Sequence, residues 1–206
     1  MSGRSGTLAR VRREVTDVCH RGLEMREFKT RVLRALSPAV PTDAVFFATI
    51  DPDTLLFTSS ISDPAIVSAR DLFLRNELFE DDSNKFAQLA QARPPVATLY
   101  DATAGRLEAS PRYREIIEPL HLGDELRVAL VAGGLCWGAM CLHREAASTQ
   151  FTSGEASFLA SLAPILAEGV RAGLLARRVS SVSAGGLEPG LIVVGPGLEL
   201  AATDQP

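Results

Sequence analysis

Two apolar runs joined by Gly133-Gly134 constrain this chain more than any other stretch. A two-residue hairpin loop needs positive φ at its centre, which glycine adopts without steric cost, so residues 124–132 and 135–144 read as antiparallel strands. With the glycines as the loop, Ala132 faces Leu135. Strict alternation then gives Leu126, Val128 and Leu130 one face with Trp137, Ala139 and Cys141. It gives Arg127, Ala129 and Val131 the other, with Cys136, Gly138, Met140 and Leu142. Neither face is polar enough for water, so the hairpin belongs in the middle of a sheet covered on both sides.

A long helix follows. Thr152 stands as N-cap with Glu155 three residues on, a capping box in which each side chain satisfies a backbone N–H at the helix start. Phe158, Leu159, Leu162, Ile165, Leu166, Val170, Leu174 and Leu175 then recur at helical spacing as far as Arg177-Arg178. Ahead of the hairpin, Leu8, Val11, Val15 and Val18 form the stripe of a first helix that ends at His20-Arg21-Gly22. Met25, Phe28, Val32, Leu33 and Leu36 form a second, stopped by Pro38 and Pro41. A strand over 44–50, a turn at Asp51-Pro52-Asp53 and a strand over 54–59 come next. Asp63-Pro64 then caps a helix reaching Leu74. An acidic loop over 77–82, a short helix over 86–92, a strand over 96–100 and a helix over 110–117 complete the middle of the chain.

Several of these stretches carry a resemblance. Trp137-Gly138 with Leu142-His143-Arg144 in a strand, then Phe151-Thr152 with Glu155-Ala156 opening a helix, resembles the end of a GAF domain, the small-molecule-sensing fold. Phe47, Asp51-Pro52 and Thr54-Leu55-Leu56, and the two leading helices broken at Gly22, are similar to the GAF domains of actinobacterial LuxR-type transcriptional regulators. The resemblance implies an α+β fold, with a central antiparallel sheet, the N- and C-terminal helices on one face and a ligand-pocket lid on the other. It implies an unknown small-molecule effector, a LuxR-type helix-turn-helix outside this chain that would read DNA, and a homodimer through the terminal helices. Asn84-Lys85-Phe86 superficially matches a cyclic-nucleotide signature but stands in the wrong place, where the family would need it at His143-Arg144.

Composition narrows the role. A net charge of −4 argues against nucleic-acid binding by this chain, because displacing counterions from DNA takes a basic surplus. No run of about 18 apolar residues marks a membrane span. The polar start is not a signal peptide, so the expected compartment is the cytoplasm. Residues 1–6 read as an unstructured lead, 7–178 as the sensory domain, 179–190 as a flexible linker and 191–206 as a hairpin opening a next domain of PAS-like type.

Catalytic chemistry is not suggested by any motif. His20, His121 and His143 stand in no metal-ligand spacing and no cofactor-binding loop is present. Cys136 and Cys141 fall an odd number apart, which places them on opposite faces of one strand. They are the basis of a lesser alternative, a thiol-based methionine sulfoxide reductase. The other alternative is a ligand-free dimerisation spacer. For an effector the candidate residues are Arg127, Ala129, Gly138 and Met140 on the less crowded face, with Tyr113, Phe46 and Trp137 beside them. Arg127 could grip a carboxylate or phosphate, or it could pair with Glu125 or Asp124.

Overall fold

The computed structural model describes the backbone of residues 2–183, 192–194 and 200–203, and the side chains of 3–176. Two compact units divide it at Gly173/Leu174. The first begins with α1 (Ser2–Cys19) and α2 (Met25–Leu36), followed by β1 (Ala44–Ile50) and β2 (Phe57–Ser62). The short helices α3 (Pro64–Ser68), α4 (Arg70–Phe79) and α5 (Phe86–Gln91) come next. After them run β3 (Val96–Thr98), α6 (Leu99–Ala102), β4 (Leu122–Ala132) and β5 (Leu135–Glu145). The last helix, α7, spans Ser153–Ser183. The five strands form one antiparallel sheet in the order β2-β1-β5-β4-β3, with the Gly133-Gly134 hairpin at its centre. Both loop glycines have positive φ, +60° and +79°, as the tight turn requires.

The register departs from strict alternation at one point. Ala132 does face Leu135, but the pairing shifts between Leu130 and Val131, so that Val131 opposes Cys136 while Leu130 opposes Gly138. Trp137 is the extra residue of a β-bulge. A one-residue shift turns every later side chain to the other face. Arg127 therefore lies opposite Cys141 and Ala129 opposite Ala139, while Gly138 and Met140 fall on the far face opposite Leu130 and Val128. Cys136 and Cys141 share a face, contrary to the odd spacing.

The two faces are covered by different layers. Val45, Phe47 and Thr49 of β1 continue the rank of Leu142, Met140 and Gly138. Against this face lie α2, whose Phe28 ring meets Phe47 edge-on at 6.3 Å, and α7, whose Leu159, Leu162, Leu166 and Val170 are fully buried. Helices α7, α2 and α1 pack so closely that a Cβ on Gly169 would come within 2.9 Å of Phe28 and 3.2 Å of Cys19. Length and composition alone would let residues 153–176 cross a membrane, an apolar stretch longer than the sequence reading allowed. Here one side of that stretch, with Leu159, Leu162, Leu166 and Val170, is packed against the sheet. On the other face, α3, α4, α5 and the 107–120 segment enclose Phe46, Ala48, Ala129, Ala139, Cys136 and Cys141.

Local chemistry accounts for several boundaries. Thr152 Oγ1 accepts from Glu155 N at 3.2 Å and Glu155 Oε2 accepts from Thr152 N at 2.8 Å, which is the expected capping box. Asp63 makes no cap bond. Its carboxylate accepts instead from Val45 N at 2.7 Å, and the helix beyond it breaks at Ala69 into α3 and α4. The turn after β1 is longer than the sequence suggested, because Asp51 Oδ1 takes Asp53 N, Thr54 N and Thr54 Oγ1 together and delays β2 to Phe57. The strand expected over 96–100 gives way to α6 after Thr98, and the helix expected over 110–117 is a wide π-type turn over Tyr113–Ile117. Helix α1 takes in residues 2–6 and α7 runs on to Ser183, so both ends of the expected domain are helical where a lead and a linker were read. In the second unit, β6 (Ile192–Val194) and β7 (Leu200–Thr203) pair antiparallel, as the hairpin reading requires; residues 184–190 lie outside the described residues.

Candidate functional site

The lid face of β4 carries charge where an apolar interior would be cheaper. Glu125 and Arg127, two apart on one strand, point to the same side and are 1% and 0% exposed. Arg127 Nη1 donates to Glu77 Oε2 of α4 at 2.8 Å, and its Nε lies 3.0 Å from Glu125 Oε1. The guanidinium faces Phe86 at 4.7 Å and Phe73 at 5.4 Å from their ring centroids. Glu125 Oε2 in turn accepts from Arg112 Nε at 2.9 Å, and Arg112 Nη1 stands 3.5 Å from Asp82 Oδ2. Asp82 completes the cluster by accepting from Asn76 Nδ2, Ser110 Oγ and Arg112 N at 2.8–2.9 Å.

These ionised forms hold because each charge has an opposite neighbour. Burial would raise the Glu125 carboxyl, yet Arg112, Arg127 and nearby His143 bring it down to about 2. Burial would lower the Arg127 pKa, and Glu125 beside it raises it above the usual range. His143 is brought down to about 4 by burial, with Glu125 opposing, so the imidazole is neutral at pH 7. Glu125, Cys141 and His143 offer an oxygen, a sulfur and a nitrogen within 4.8 Å of one another, a set able to ligate a metal. Glu125 already faces the guanidinium groups of Arg112 and Arg127, whose positive charge opposes a further cation there.

The predicted effector residues are thus scattered. Arg127 is spent on Glu77 and Glu125, the internal pairing that Glu125 had offered in the sequence. Ala129 lies beside it in the buried lid-side cluster, and Tyr113 packs half-buried against that cluster. Gly138 and Met140 are on the opposite face because of the bulge, Gly138 covered by the Leu130 side chain. Trp137 sits at the hairpin end with Nε1 donating to Ala132 O at 3.1 Å. Phe46 remains. It lines a groove of about 610 Å³ that runs along the free edge of β2 and is walled by α3 and α4.

This groove brings together residues the sequence reading did not connect. All six residues of β2, Phe57 to Ser62, line it, together with Ile66, Val67 and Phe73 on the lid side and Arg26 and Arg70. Phe46 and Phe73 stand 4.9 Å apart, and Phe57 meets Phe46 edge-on at 5.3 Å. A bulge sets the strand's hydroxyls. Thr49 opposes Ser59 while Ile50 opposes Phe57, so Thr58 is extra and both Thr58 Oγ1 and Ser59 Oγ reach Thr49 Oγ1, at 2.7 and 2.9 Å. Behind Ser59, Lys29 of α2 is 1% exposed and donates to Ser59 O and Ser59 Oγ, both at 3.0 Å. Burial lowers its pKa to about 8, with Glu24 pulling the other way. Its signal in the sequence was a lysine set four residues after Met25 and three before Val32, inside the apolar stripe of α2.

The cysteines give no reactive thiolate. Burial raises Cys19 and Cys136 to about 11 and Cys141 further still. Cys136 and Cys141 are five residues apart on a strand, about 16 Å, too far for a disulfide.

Comparison with known proteins agrees with the architecture. The GAF domain family model matches residues 24–170, and the chain belongs to that family. No curated protein matches the sequence significantly. Among solved structures, the GAF domain/HD domain protein of Geobacter sulfurreducens superposes with a TM-score of 0.53 at 19% identity, over 74% of this chain and 96% of that one. The GAF domain of a two-component sensor histidine kinase from Bacillus halodurans gives 0.51 at 12% identity, over 75% and 98%. The VqsR LBD domain from Pseudomonas aeruginosa gives 0.50 at 16% identity, over 78% and 92%. At these identities the likeness is one of fold.

Proposed function

We propose that this chain is the effector-sensing part of a cytoplasmic LuxR-type transcriptional regulator, whose DNA-reading helix-turn-helix lies outside it. The observation that carries the reading is the groove of about 610 Å³ between the β2 edge and helices α3 and α4, within the size range of small-molecule sites. A fold neighbour described as an LBD, from VqsR, supports the same role. The groove wall is mechanically placed. Phe73 faces it from α4, and one turn further along the same helix Glu77 holds Arg127 of the central strand. An effector that binds one position of α4 better than another shifts the domain only by that difference in affinity.

Native mass spectrometry beside the denatured mass tests this. An excess mass released on denaturation, and lost in Phe73→Asp, is the expected result. The same spectrum weighs a second reading, a dimerisation spacer, which is favoured by Phe73, Phe86 and the Arg127 ion pairs filling the space between β4 and the lid. That reading, with the homodimer formed through α1 and α7, requires a doubled native mass, no released ligand and no thermal shift with cell extract metabolites. A thiol reductase is disfavoured by the protonated, separated cysteines. Equal sulfoxide turnover by wild type and a Cys136→Ser/Cys141→Ser variant would remove it.

A further inference from the structure

We infer that the groove beside β2 takes a small organic anion, its charged group held by Arg26 and Arg70 and its apolar body laid against Phe46, Phe57 and Phe73. The inference rests on the sensing role of that groove and names the class of effector. Charge is the first argument. No aspartate or glutamate lines the groove, in a chain where Asp and Glu outnumber Lys and Arg by 25 to 21. Neither Arg26 nor Arg70 forms an ion pair among the described residues, and Lys29 behind Ser59 donates to a carbonyl and a hydroxyl.

A second depression lies between α1 and α2. There Arg10, Arg13, Arg31 and Arg34 are interleaved with Glu14, Asp17, Glu24 and Glu27, Arg31 pairs with Glu27 at 2.7 Å, and Arg26 borders this depression as well as the β2 groove. Those charges compensate one another in solvent. The β2 groove sets no carboxylate among its lining residues against Arg70, which stands with the hydroxyls of Ser60 and Ser62 along the free backbone edge of the outermost strand. A carboxylate or phosphate meets all of these donors, and arginine receives it bidentately. An inorganic anion would leave the phenylalanine wall wet. An uncharged molecule would leave both guanidinium groups without a partner.

Calorimetric titration at fixed ionic strength with phenyl phosphate, inorganic phosphate and benzyl alcohol tests this. Phenyl phosphate is expected to bind saturably in the millimolar range or tighter, and inorganic phosphate about tenfold more weakly. Arg26→Glu and Arg70→Glu each weaken phenyl phosphate by at least about tenfold, at exposed positions where thermal melting is expected to be unchanged. Binding of phenyl phosphate that ignores both charge reversals overturns the inference, as does its failure to bind at 10-fold above the millimolar range. Saturable binding of benzyl alcohol matching that of phenyl phosphate overturns the anion class while leaving a sensing groove. A released native ligand that is uncharged does the same.

Discussion

On the helical side of β4 and β5, Leu126, Val128, Leu130, Met140 and Leu142 are all but inaccessible and packed on apolar neighbours. One residue along, on the lid side of the same strands, Glu125 and Arg127 are buried just as deeply but hold their place through ion pairs, with His143 buried beside them. The helical face joins the sheet to long helices over a continuous apolar surface, which is non-directional and tolerates small shifts. The lid face joins it to short segments that come from residues 77, 82 and 112, through bonds with fixed partners and geometry. Apolar packing fixes that two layers meet. The charge cluster fixes where, because a displaced lid would leave Glu125 or Arg127 buried and unpaired.

The largest effect should come from breaking that cluster. Arg127→Ala leaves Glu77 and Glu125 without their shared cation, and is expected to cost about 3–5 kcal/mol in urea unfolding at pH 7. The loss should shrink at pH 4, where Glu125, freed of Arg127, takes up a proton. Next, Leu126→Ala on the other face of the same strand is expected to cost about 2–4 kcal/mol, by lost burial and a cavity, with no such pH dependence. Equal pH dependence in both variants would erase the distinction between the faces.

The pH response of the wild type sharpens the contrast. Both titrating groups have folded pKa values below their ordinary ones, 6.5 to about 4 for His143 and 4.5 to about 2 for Glu125. Each therefore contributes stability that is fully present above the ordinary value and lost as the pH falls through the folded one. From pH 7 downward, unfolding free energy should decline in two stages, the first of which His143→Gln removes. Denaturant midpoints measured from pH 8 to pH 3 would show whether the first stage belongs to this residue. The smallest effects lie at the helices. Gly169→Ala drives a Cβ into the buried Phe28 ring and should cost about 1–2 kcal/mol despite better helix propensity. Thr152→Ala, losing the cap, should cost about 1 kcal/mol by the same measurement.

Much of the architecture could be read from residues in a row. The Gly133-Gly134 loop, the capping box at Thr152 and Glu155 and the apolar stripes of α2 and α7 act over a few residues each, so the sequence displays them directly. The candidate site could not be read in this way. Arg127 was visible as a lone charge on an apolar strand, but whether it faced an effector or an internal partner depended on Glu77, 50 residues away. Gly138 and Met140 were assigned to the wrong face because the bulge at Trp137 has no local signature. Arg26, Ser59 and Arg70 come to line one groove only once α2, β2 and α3–α4 are in place.

By itself the sequence determined the central hairpin, the terminal helices and their apolar faces, because backbone turns, caps and hydrophobic periodicity are properties of neighbouring residues. Only the tertiary structure decided which side of the sheet each residue of β5 serves, that the strand's arginine is neutralised from the lid, and that no carboxylate lines the groove along the edge of β2. Those outcomes rest on pairings between distant segments, and a charge has no fixed role until the fold has chosen what stands opposite it.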